Sequence, residues 1–388
     1  MTPLNGVRIL SAEAWGAGPY GTQLLAALGA EVIKIENPAG GGDPARYVGP
    51  HRLGAADSQY FQGWNTNKRS VALDLKSDAG QRDFAALVAT ADAVVNNLRG
   101  DQPAKLGLDY AALGKLNPAV VCLHISAYGR DNERAAWPGY DFLMQAEAGL
   151  MSLTGEPSGP PARFGPSIID YMTGTTAMVG LLACLLDAKR TGKGCDVDVS
   201  LFDVALHQLG YAGTWYLNSG EAVSRMERSS HFSMAPVQTF PTSDGWILIM
   251  CMSDKFWLAM LDVLGERRLA ADSRFADGNT RHRHRQALTA LLDPVFRQAT
   301  TAEWLDRLSG VLPVAPVYDV AEALSSTFAE ASGMIRRVPH PEKADFKVLT
   351  SPIKVNGERA ELAVCPPLGA DNDALLGDAP RRSTGAAE

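Results

Sequence analysis

The sequence has 388 residues, 46% of them hydrophobic, which is enough for two domains or one large elaborated domain with a real core. Its formal net charge of −7 argues against general nucleic-acid binding. The five cysteines are scattered and form no CxxC pair, which argues against a zinc site or a disulfide framework. No basic-then-apolar leader opens the chain, and no uncharged run approaches the length of a membrane span. These features predict a cytoplasmic globular protein with neither nucleic-acid nor membrane partners.

The chain opens with the pattern of a strand–helix–strand unit. Residues 7–10 and 32–35 are apolar and predict strands, and residues 20–28 predict the helix between them, with Gly29 at its end. The alternation of strands and helices then continues. Further strands are expected at 70–75, 93–97, 120–126 and 196–200, and a helix is expected from Ser77. This order predicts an α/β fold with a doubly wound parallel sheet.

A glycine motif lies between the first strand and the first helix. Gly16, Gly18 and Gly21 have the spacing GxGxxG, and Glu36 follows Gly16 by twenty residues. This spacing is typical of a dinucleotide-binding turn, so an NAD-dependent dehydrogenase is the hypothesis from a different functional class. Pro19 inside the motif lowers its specificity, and no feature elsewhere in the sequence supplies a hydride-transfer site.

The stretch GPSIIDYMTG, residues 165–174, places the lone carboxylate Asp170 between an apolar pair and a long uncharged segment. Residues 172–186 contain many small side chains and predict a buried helix, with Asp170 at or just before its N-terminus. The helix dipole is expected to keep Asp170 ionised, and an ionised, partly desolvated carboxylate is a usable nucleophile. Helix capping and nucleophilic catalysis are the two hypotheses for this residue.

The pattern of the chain changes from about Ser219. The expected elements there are a hairpin turning at 243–245, a helix from Ser253, a helical stretch over 279–308 and a sheet edge over 348–364. The basic run at 281–285 is interpreted as the solvent-exposed face of a helix, because no aromatic residues interleave with it. The polar tail after Asp378 is expected to be disordered.

Seven segments, in this order along nearly the whole chain, resemble the family III CoA-transferases, which also include the α-methylacyl-CoA racemases. They are PLNGVRILSAEAWGAGPYGTQLLAALGAEVIKIENPAGGGDPAR, WNTNKRSVALDLKSDAG, LGLDY, GYDF, IIDYMTG, TGKGCDVDVSLFD and CPPLGADND. The resemblance implies a Rossmann-like large CoA-binding domain over 1–205, an inserted smaller α/β domain over 225–320, and a return to the large domain over 321–388. It also implies an interlocked homodimer. No cofactor or metal is expected to be bound permanently, because the coenzyme A thioester is a substrate.

The resemblance also assigns roles to individual residues. The family's nucleophilic aspartate corresponds to Asp170. Contacts with CoA are implied for Gly16, Ala17, Leu73, Lys76, Asn97, Arg99, Lys105, Gly139 and Tyr140. The basic or polar residue that follows the second strand in the family is Asn37 here, so either Arg46 takes over the phosphate contact or no residue does. Backbone N–H groups near residues 16–18 are expected to stabilise an oxyanion.

The implied activity is CoA transfer from an acyl-CoA donor to a carboxylic acid, through an aspartyl anhydride and an aspartyl-CoA thioester. A small dicarboxylate of the succinate or mesaconate type is expected, because cations of the small domain could hold its second carboxylate: Arg225, Arg228, His231 and Lys255. Intramolecular transfer within a dicarboxylyl-CoA, and a non-catalytic CoA-binding protein, are alternatives.

Two activities of the same family are disfavoured by individual residues. Tyr140 stands where the racemases carry a histidine, which argues against racemisation of a 2-methylacyl-CoA. The first turn reads Trp15-Gly16-Ala17 and lacks the glutamine of the formyl-CoA transferases. Residues 250–257 lack their glycine-rich flap as well, so formyl transfer to oxalate is not expected.

Overall fold

The structure is a computed structural model that describes residues 2–377, so the prediction for the tail after Asp378 lies outside the described residues. The contacts divide the chain into two compact units. Within the described residues, the first contains residues 2–148, 164–210 and 327–377, and the second contains residues 149–163 and 211–326. The second unit therefore includes residues 149–163, which were expected to belong to the large domain over 1–205.

The first unit is built on a six-stranded parallel sheet with the strand order β3-β2-β1-β4-β5-β6. The strands are β1 (Arg8–Ala12), β2 (Glu31–Glu36), β3 (Arg69–Ala72), β4 (Ala93–Asn96), β5 (Val121–Ser126) and β6 (Asp196–Ser200). Strands β4 and β5 are buried along their whole length, as in a parallel sheet that is covered on both faces. The prediction of an α/β fold with a parallel sheet is confirmed.

Helices connect these strands. They are α1 (Ala17–Ala27), α2 (Gln59–Asn65), α3 (Asp78–Val88), α4 (Tyr110–Leu113), α5 (Asp141–Glu147), α6 (Ile168–Thr191) and α7 (Leu201–His207). Helix α3 begins after Ser77, whose side chain accepts a hydrogen bond from the N–H of Gly80, as an N-cap serine does.

Helices α1 and α6 cross closely because two glycines face each other. A Cβ at Gly174 would stand 2.5 Å from the carbonyl oxygen of Ala17, and a Cβ at Gly21 would stand 2.8 Å from that of Gly174. The last glycine of the GxGxxG motif therefore serves helix packing. The crossing brings the start of α6 beside the start of α1.

Helix α6 differs from its prediction in length and in its start. It spans 24 residues rather than 172–186, and Asp170 is its third residue, while Ser167 precedes it. By length and composition α6 passes a test for a membrane span, with a mean hydropathy of 1.5 over its most apolar 18 residues, but buried core helices pass the same test. In this structure α6 packs against α1, β5 and β6.

The second unit combines helices with an antiparallel sheet of order β7-β8-β9. Its elements are α8 (Gly210–Ser219), β7 (Val237–Pro241), β8 (Trp246–Met250), α9 (Asp254–Leu264), α10 (Gly278–Arg283), α11 (Arg285–Phe296), α12 (Thr301–Leu308), β9 (Val314–Pro316) and α13 (Val320–Ser325). The predicted hairpin at 243–245 and the helix after Ser253 are confirmed. The helical stretch expected over 279–308 consists of three helices, because His284 interrupts it and Thr300 caps the start of a new helix with a capping box.

The basic run 281–285 is not uniformly solvated. Arg281 is buried, is ion-paired with Asp254 and lies 5.2 Å from the ring centre of Trp257. The interpretation of the whole run as an exposed face is therefore wrong at Arg281, because its guanidinium is buried beside an indole ring and pairs with the more exposed Asp254 carboxylate.

The remaining elements return to the first unit: α14 (Thr327–Ser332), β10 (Ile335–Arg337), β11 (Lys347–Leu349) and α15 (Asn372–Leu376). Strands β10 and β11 form an antiparallel pair. Only β11 remains of the sheet edge predicted over 348–364, because Asn356 (φ +53°) and Gly357 (φ +81°) turn the chain back on itself.

Candidate active site

Asp170 lies in the first turn of α6, and its carboxylate faces the turn that follows β1. A Cβ at Gly16 would overlap Asp170 Oδ2 and would stand 2.7 Å from Cζ3 of Trp64. Only glycine fits between this carboxylate and the indole ring. Among residues 2–377, no hydrogen bond reaches the Asp170 carboxylate. The carboxylate therefore lacks the bonds that a purely structural aspartate makes.

Asp141, the first residue of α5, satisfies the start of α6 in place of Asp170. Its Oδ2 accepts hydrogen bonds from the backbone N–H of Ile169 at 2.5 Å and of Asp170 at 3.0 Å. Its Oδ1 accepts a third from Gln145 at 2.6 Å. Of the two hypotheses for Asp170, capping of its own helix is contradicted, since the cap oxygen comes from a residue 29 positions earlier.

The protonation of Asp170 also differs from the prediction. Burial and the negative charge of Asp141 raise the pKa of Asp170 to about 7. Both causes oppose the expected effect of the helix dipole, because they favour the protonated form of this carboxyl group. A helix dipole contributes only about 0.3–1 kcal/mol at an exposed site, which is less than this burial costs.

Aromatic rings close one side of the carboxylate. The ring centres of Tyr60 and Trp64 are 4.8 Å apart, those of Trp64 and Tyr171 are 5.7 Å apart, and those of Tyr171 and Tyr20 are 4.8 Å apart. Burial and the nearby Asp170 charge raise the pKa of Tyr60 to about 12. This wall is suited to limiting the access of water to a reactive group on Asp170.

The turn between β1 and α1 is held by Asn97. Strands β1 and β4 are neighbours in the sheet, so the residues that follow them lie side by side. Asn97 Oδ1 accepts the backbone N–H of Ala14 at 2.9 Å, and its Nδ2 donates to the carbonyl oxygen of Ala14 at 2.5 Å. Asn97, a predicted CoA contact, thus already binds the turn that carries Gly16.

A cavity of about 250 Å³ opens beside Asp170. Six of the predicted CoA contacts line it: Gly16, Ala17, Asn97, Arg99, Gly139 and Tyr140. The other lining residues are mainly apolar or aromatic and include Trp15, Leu98, Trp137 and Leu201. Asp170 is the one carboxylate among the described residues that line this cavity. A carbonyl group bound there could therefore be attacked by this carboxylate.

A second cavity of about 240 Å³ lies at the carboxyl ends of β1, β2 and β3, where ligands of parallel sheets bind. Leu73 and Lys76 of the predicted contacts line it, and Leu98 lines both cavities. Lys105 lines neither of them. It is exposed, and its Nζ lies 2.6 Å from Asp101 Oδ2. The structure therefore brings every predicted contact except Lys105 to one of two adjoining cavities.

The buried pair formed by Glu36 and Arg46 argues against the phosphate contact considered for Arg46 and against the dehydrogenase hypothesis. Arg46 is fully buried, donates two hydrogen bonds of 2.8 Å to Glu36, and its guanidinium lies 3.9 Å from the ring centre of Phe61. Burial raises the pKa of Glu36, but hydrogen bonds from Arg46 and the charge of Lys34 bring it down to about 2. Arg46 is therefore closed to a phosphate, and Glu36 is closed to the ribose hydroxyl that a dinucleotide would present.

The four cations predicted to hold a second carboxylate all lie in the second unit: Arg225, Arg228, His231 and Lys255. Arg225 donates to two backbone carbonyl oxygens at 2.7 Å, and Arg228 pairs with Asp293 at 2.7 Å. Lys255 is exposed and makes no ion pair within the described part of the chain. Contacts inside their own unit thus occupy the two arginines. They are therefore weaker candidates than His231 and Lys255 for holding a second carboxylate.

Three residues of the site had no role in the sequence analysis: Trp64, Leu98 and Asp141. Leu98 lies just beyond the carboxyl end of a buried parallel strand, and that position is a signal that could have found it. Trp64 and Asp141 approach Asp170 from distant segments, so no local pattern marks them.

Similarity to known proteins identifies the family of this chain. The family model described as CoA-transferase family III matches residues 4–372, and the chain belongs to that family. It is 35% identical over 358 residues to the acetyl-CoA:oxalate CoA-transferase of Acetobacter aceti, which covers 92% of this chain and 90% of the relative. It is 33% identical over 343 residues to the succinate–glutarate CoA-transferase of Agrobacterium fabrum, which covers 86% and 84%. A crystal structure of a CAIB/BAIF family protein from Brucella suis matches with a TM-score of 0.85 and 33% identity, covering 97% of this chain and 99% of that one.

Proposed function

We propose that this family III CoA-transferase moves CoA from an acyl-CoA donor to a small dicarboxylic acid, with Asp170 as its nucleophile. The observation that carries the proposal is an Asp170 carboxylate without hydrogen-bond donors that lines the same cavity as most of the predicted CoA contacts. The two relatives described above are named for oxalate, succinate and glutarate, which supports a dicarboxylate acceptor.

The first half of the proposed reaction forms an aspartyl thioester. An Asp170 oxygen attacks the donor thioester carbonyl, the carbon–sulfur bond breaks, and CoA thiolate leaves behind a mixed anhydride. The thiolate then attacks the Asp170 carbonyl carbon of this anhydride. The donor acid leaves as its carboxylate, and Asp170 carries CoA as a thioester.

The second half repeats these steps with the acceptor. A carboxylate of the acceptor acid attacks the Asp170 thioester carbonyl and expels CoA thiolate, which forms a second anhydride. Thiolate attack on the acceptor carbonyl of that anhydride delivers the new acyl-CoA and regenerates the Asp170 carboxylate. One thioester replaces another throughout, so the balance needs neither ATP nor an oxidant.

The start of α1 is placed to stabilise the oxyanion of each step. Gly16 is the N-cap of α1 and Ala17 is its first residue, and both line the Asp170 cavity. The first N–H groups of a helix have no partner within the helix, and a developing negative charge is stabilised by such donors. The aromatic wall of Tyr60, Trp64 and Tyr171 is proposed to keep water from the anhydride.

The two cavities are proposed to hold CoA along its length. The nucleotide would occupy the second cavity near Leu73 and Lys76, and the pantetheine arm would pass Leu98 to present the thioester to Asp170. The exposed cations Lys76 and Arg99 then stand where phosphates would reach solvent. The small domain over 225–320 as an insertion and the interlocked homodimer are proposed on the resemblance, and the cytoplasmic location is proposed on the scattered, unpaired cysteines.

The test replaces Asp170 and follows the covalent intermediate. Asp170→Asn and Asp170→Ala are expected to abolish transfer in a screen of acetyl-, succinyl- and mesaconyl-CoA against mono- and dicarboxylic acids, while CoA binding persists. Asp78→Asn changes another first-turn helix aspartate of the same unit and is expected to leave transfer unchanged. With acyl-CoA and hydroxylamine, mass spectrometry should find a hydroxamate on the peptide that contains Asp170.

Two outcomes would contradict parts of this proposal. Full transfer by Asp170→Asn, or a hydroxamate confined to another carboxylate such as Asp141, would exclude Asp170 as the nucleophile. Monocarboxylates that outcompete every dicarboxylate would leave the nucleophile in place and disprove the acceptor class.

A further inference from the structure

The turn that carries Gly16 is held in an unusual backbone conformation. Trp15 has φ +66°, in the left-handed region, which a bulky side chain rarely adopts. The next residue, Gly16, is the one whose missing Cβ leaves room for the Asp170 carboxylate. Something in the surrounding structure must therefore compensate for the strain at Trp15.

A buried ion pair contacts the backbone of this turn. Asp43 Oδ1 accepts the backbone N–H of Trp15 at 3.2 Å, and Asp43 Oδ2 lies 2.9 Å from Lys34 Nζ. Lys34 Nζ also donates to the carbonyl oxygen of Glu13 at 2.9 Å. Both charged side chains are completely shielded from solvent. With the two bonds from Asn97 to Ala14, three successive residues of the turn are tied by side chains from outside it.

The geometry points to Asp43 as a positioning residue for the transfer reaction, with Lys34 as the counter-charge of its buried carboxylate. By accepting the N–H of Trp15, Asp43 keeps this residue in its left-handed conformation and so keeps Gly16 against Asp170. This inference rests on the proposed function, since the reaction it supports is attack by Asp170. If the turn relaxed to negative φ at Trp15, the first amides of α1 would move away from the carboxylate, and misplacement of about 1 Å can cost about 100-fold in rate.

The test separates the hydrogen bond from the buried charge. Because loss of Asp43 alone would leave Lys34 buried without a counter-charge, the changes are made in a Lys34→Met background, where neither charge remains. Lys34→Met/Asp43→Asn keeps an oxygen that accepts the N–H of Trp15, and its kcat is expected to stay within about threefold of wild type. Lys34→Met/Asp43→Ala loses that acceptor and is expected to lose kcat by about 100-fold.

A Trp15→Gly change then tests whether the loss of kcat in the alanine variant arises from the backbone conformation of the turn. Glycine adopts positive φ without strain, so it needs no side chain to hold it there. In the Trp15→Gly background, the asparagine and alanine variants at position 43 are expected to differ in kcat by less than about threefold. A merely structural role for Asp43 would give the same ratio in both backgrounds.

Asp371→Ala is the matched control. Like Asp43, Asp371 accepts a backbone N–H, that of Ser70 at 2.9 Å, and it pairs with a cation, Arg69. Both contacts lie away from the turn. It is expected to lower the melting temperature and leave kcat unchanged.

Two outcomes would overturn the proposal. One is an equal ratio of the kcat values of the asparagine and alanine variants with Trp15 and with Gly at position 15, and the other is an equal loss of kcat in Asp371→Ala. If the alanine variant fails to fold, a 100-fold loss of kcat in the asparagine variant would overturn it as well. A wild-type protein without transfer activity would instead refute the proposed function, so the two failures are distinguishable.

Discussion

Asp170 combines two properties that oppose each other at neutral pH. Nucleophilic attack needs its ionised form, whereas burial and the charge of Asp141 favour its protonated form and raise its pKa to about 7. The same shift makes the carboxylate more basic and hence a stronger nucleophile once it has lost its proton. A raised pKa therefore lowers the fraction of Asp170 that is ionised but makes each ionised carboxylate more reactive.

The rate of transfer is expected to follow the ionisation of Asp170. The value of kcat/KM should rise about tenfold per pH unit below pH 7 and level off above it, because only the ionised carboxylate attacks. Initial rates between pH 5 and 9 at low acyl-CoA concentration would measure this dependence. A profile that is flat from pH 5 to 8 would show that the group that attacks is ionised throughout.

Removing the charge at position 170 is expected to stabilise the fold in alkaline solution. The pKa is raised from 3.8 to about 7 on folding, so the folded state holds its proton more tightly and stability falls as pH rises from about 4 to about 7. Asp170→Asn carries no such cost. It should be more stable than wild type by about 2–4 kcal/mol at pH 8 and equal to it near pH 4. Denaturant unfolding at both pH values is the measurement, and an advantage that is larger at pH 4 would contradict the raised pKa.

Gly16 is expected to tolerate no side chain. In Gly16→Ala the new Cβ would overlap Asp170 Oδ2 and press on Trp64, so the carboxylate must shift and kcat should fall by about 100-fold. Gly63→Ala is the matched control, because a Cβ there meets no atom within 4 Å. Steady-state kinetics and melting temperatures of both variants give the comparison. Equal activity of the two variants would mean that Gly16 and Asp170 do not touch in solution.

The relation between α5 and α6 sets the electrostatics of the nucleophile. Asp141 at the start of α5 accepts the N–H groups of Ile169 and Asp170 at the start of α6, and its charge contributes to the raised pKa of Asp170. One residue therefore orients the first turn of α6 and tunes its reactive group. This arrangement belongs to the pair of helices, since neither helix contains it alone.

Asp141→Asn separates these two contributions. Its amide oxygen still accepts hydrogen bonds from α6, but its charge is gone, so the apparent pKa of the pH–rate profile should move below 7. Asp141→Ala also loses the cap and should cost about 1–2 kcal/mol of stability. Asp109→Asn changes a helix-start aspartate at α4 and should leave the profile unchanged. An unchanged profile in Asp141→Asn would show that burial alone raises the pKa of Asp170.

At the scale of the whole molecule, the first unit leaves large apolar side chains exposed on its longest helix. Val179 and Leu186 of α6 are 66% and 73% exposed, and Phe328 in α14 is 83% exposed. Exposed apolar side chains of this size fit a surface that a partner covers. They support the proposed homodimer, which the resemblance describes as interlocked.

The homodimer is expected to persist at low concentration, because an interlocked pair buries a large interface. Sedimentation velocity at micromolar concentration should give one species of twice the chain mass of 41.4 kDa. Val179→Asp and Leu186→Asp are expected to weaken this species if α6 lies in the interface, whereas Leu116→Asp at another exposed apolar position should not. A compact stable monomer in the wild-type protein would disprove the dimer.

Patterns that are local in the chain were sufficient to predict several elements correctly. Strands β4 and β5 of the parallel sheet are short, fully buried and largely apolar runs, and such runs indicate burial without knowledge of their partners. The hairpin before β8 and the helix after Ser253 follow from residues within a few positions of each other. Asp170 stood out for the same reason, as a lone charge between apolar residues.

Only the tertiary structure decided which groups remain free to react. The acceptor for the start of α6 is Asp141, the partner that occupies Arg46 is Glu36, and the neighbour that excludes a side chain at Gly16 is Asp170. Each of these contacts joins residues at least ten positions apart, so the sequence around one residue does not identify its partner. Residue type showed that Asp170 could be a cap or a nucleophile, and the contacts show that its cap role is taken by another residue. Burial against a second charge then sets its pKa, because desolvation and Coulomb energy depend on distance in space and not on distance along the chain.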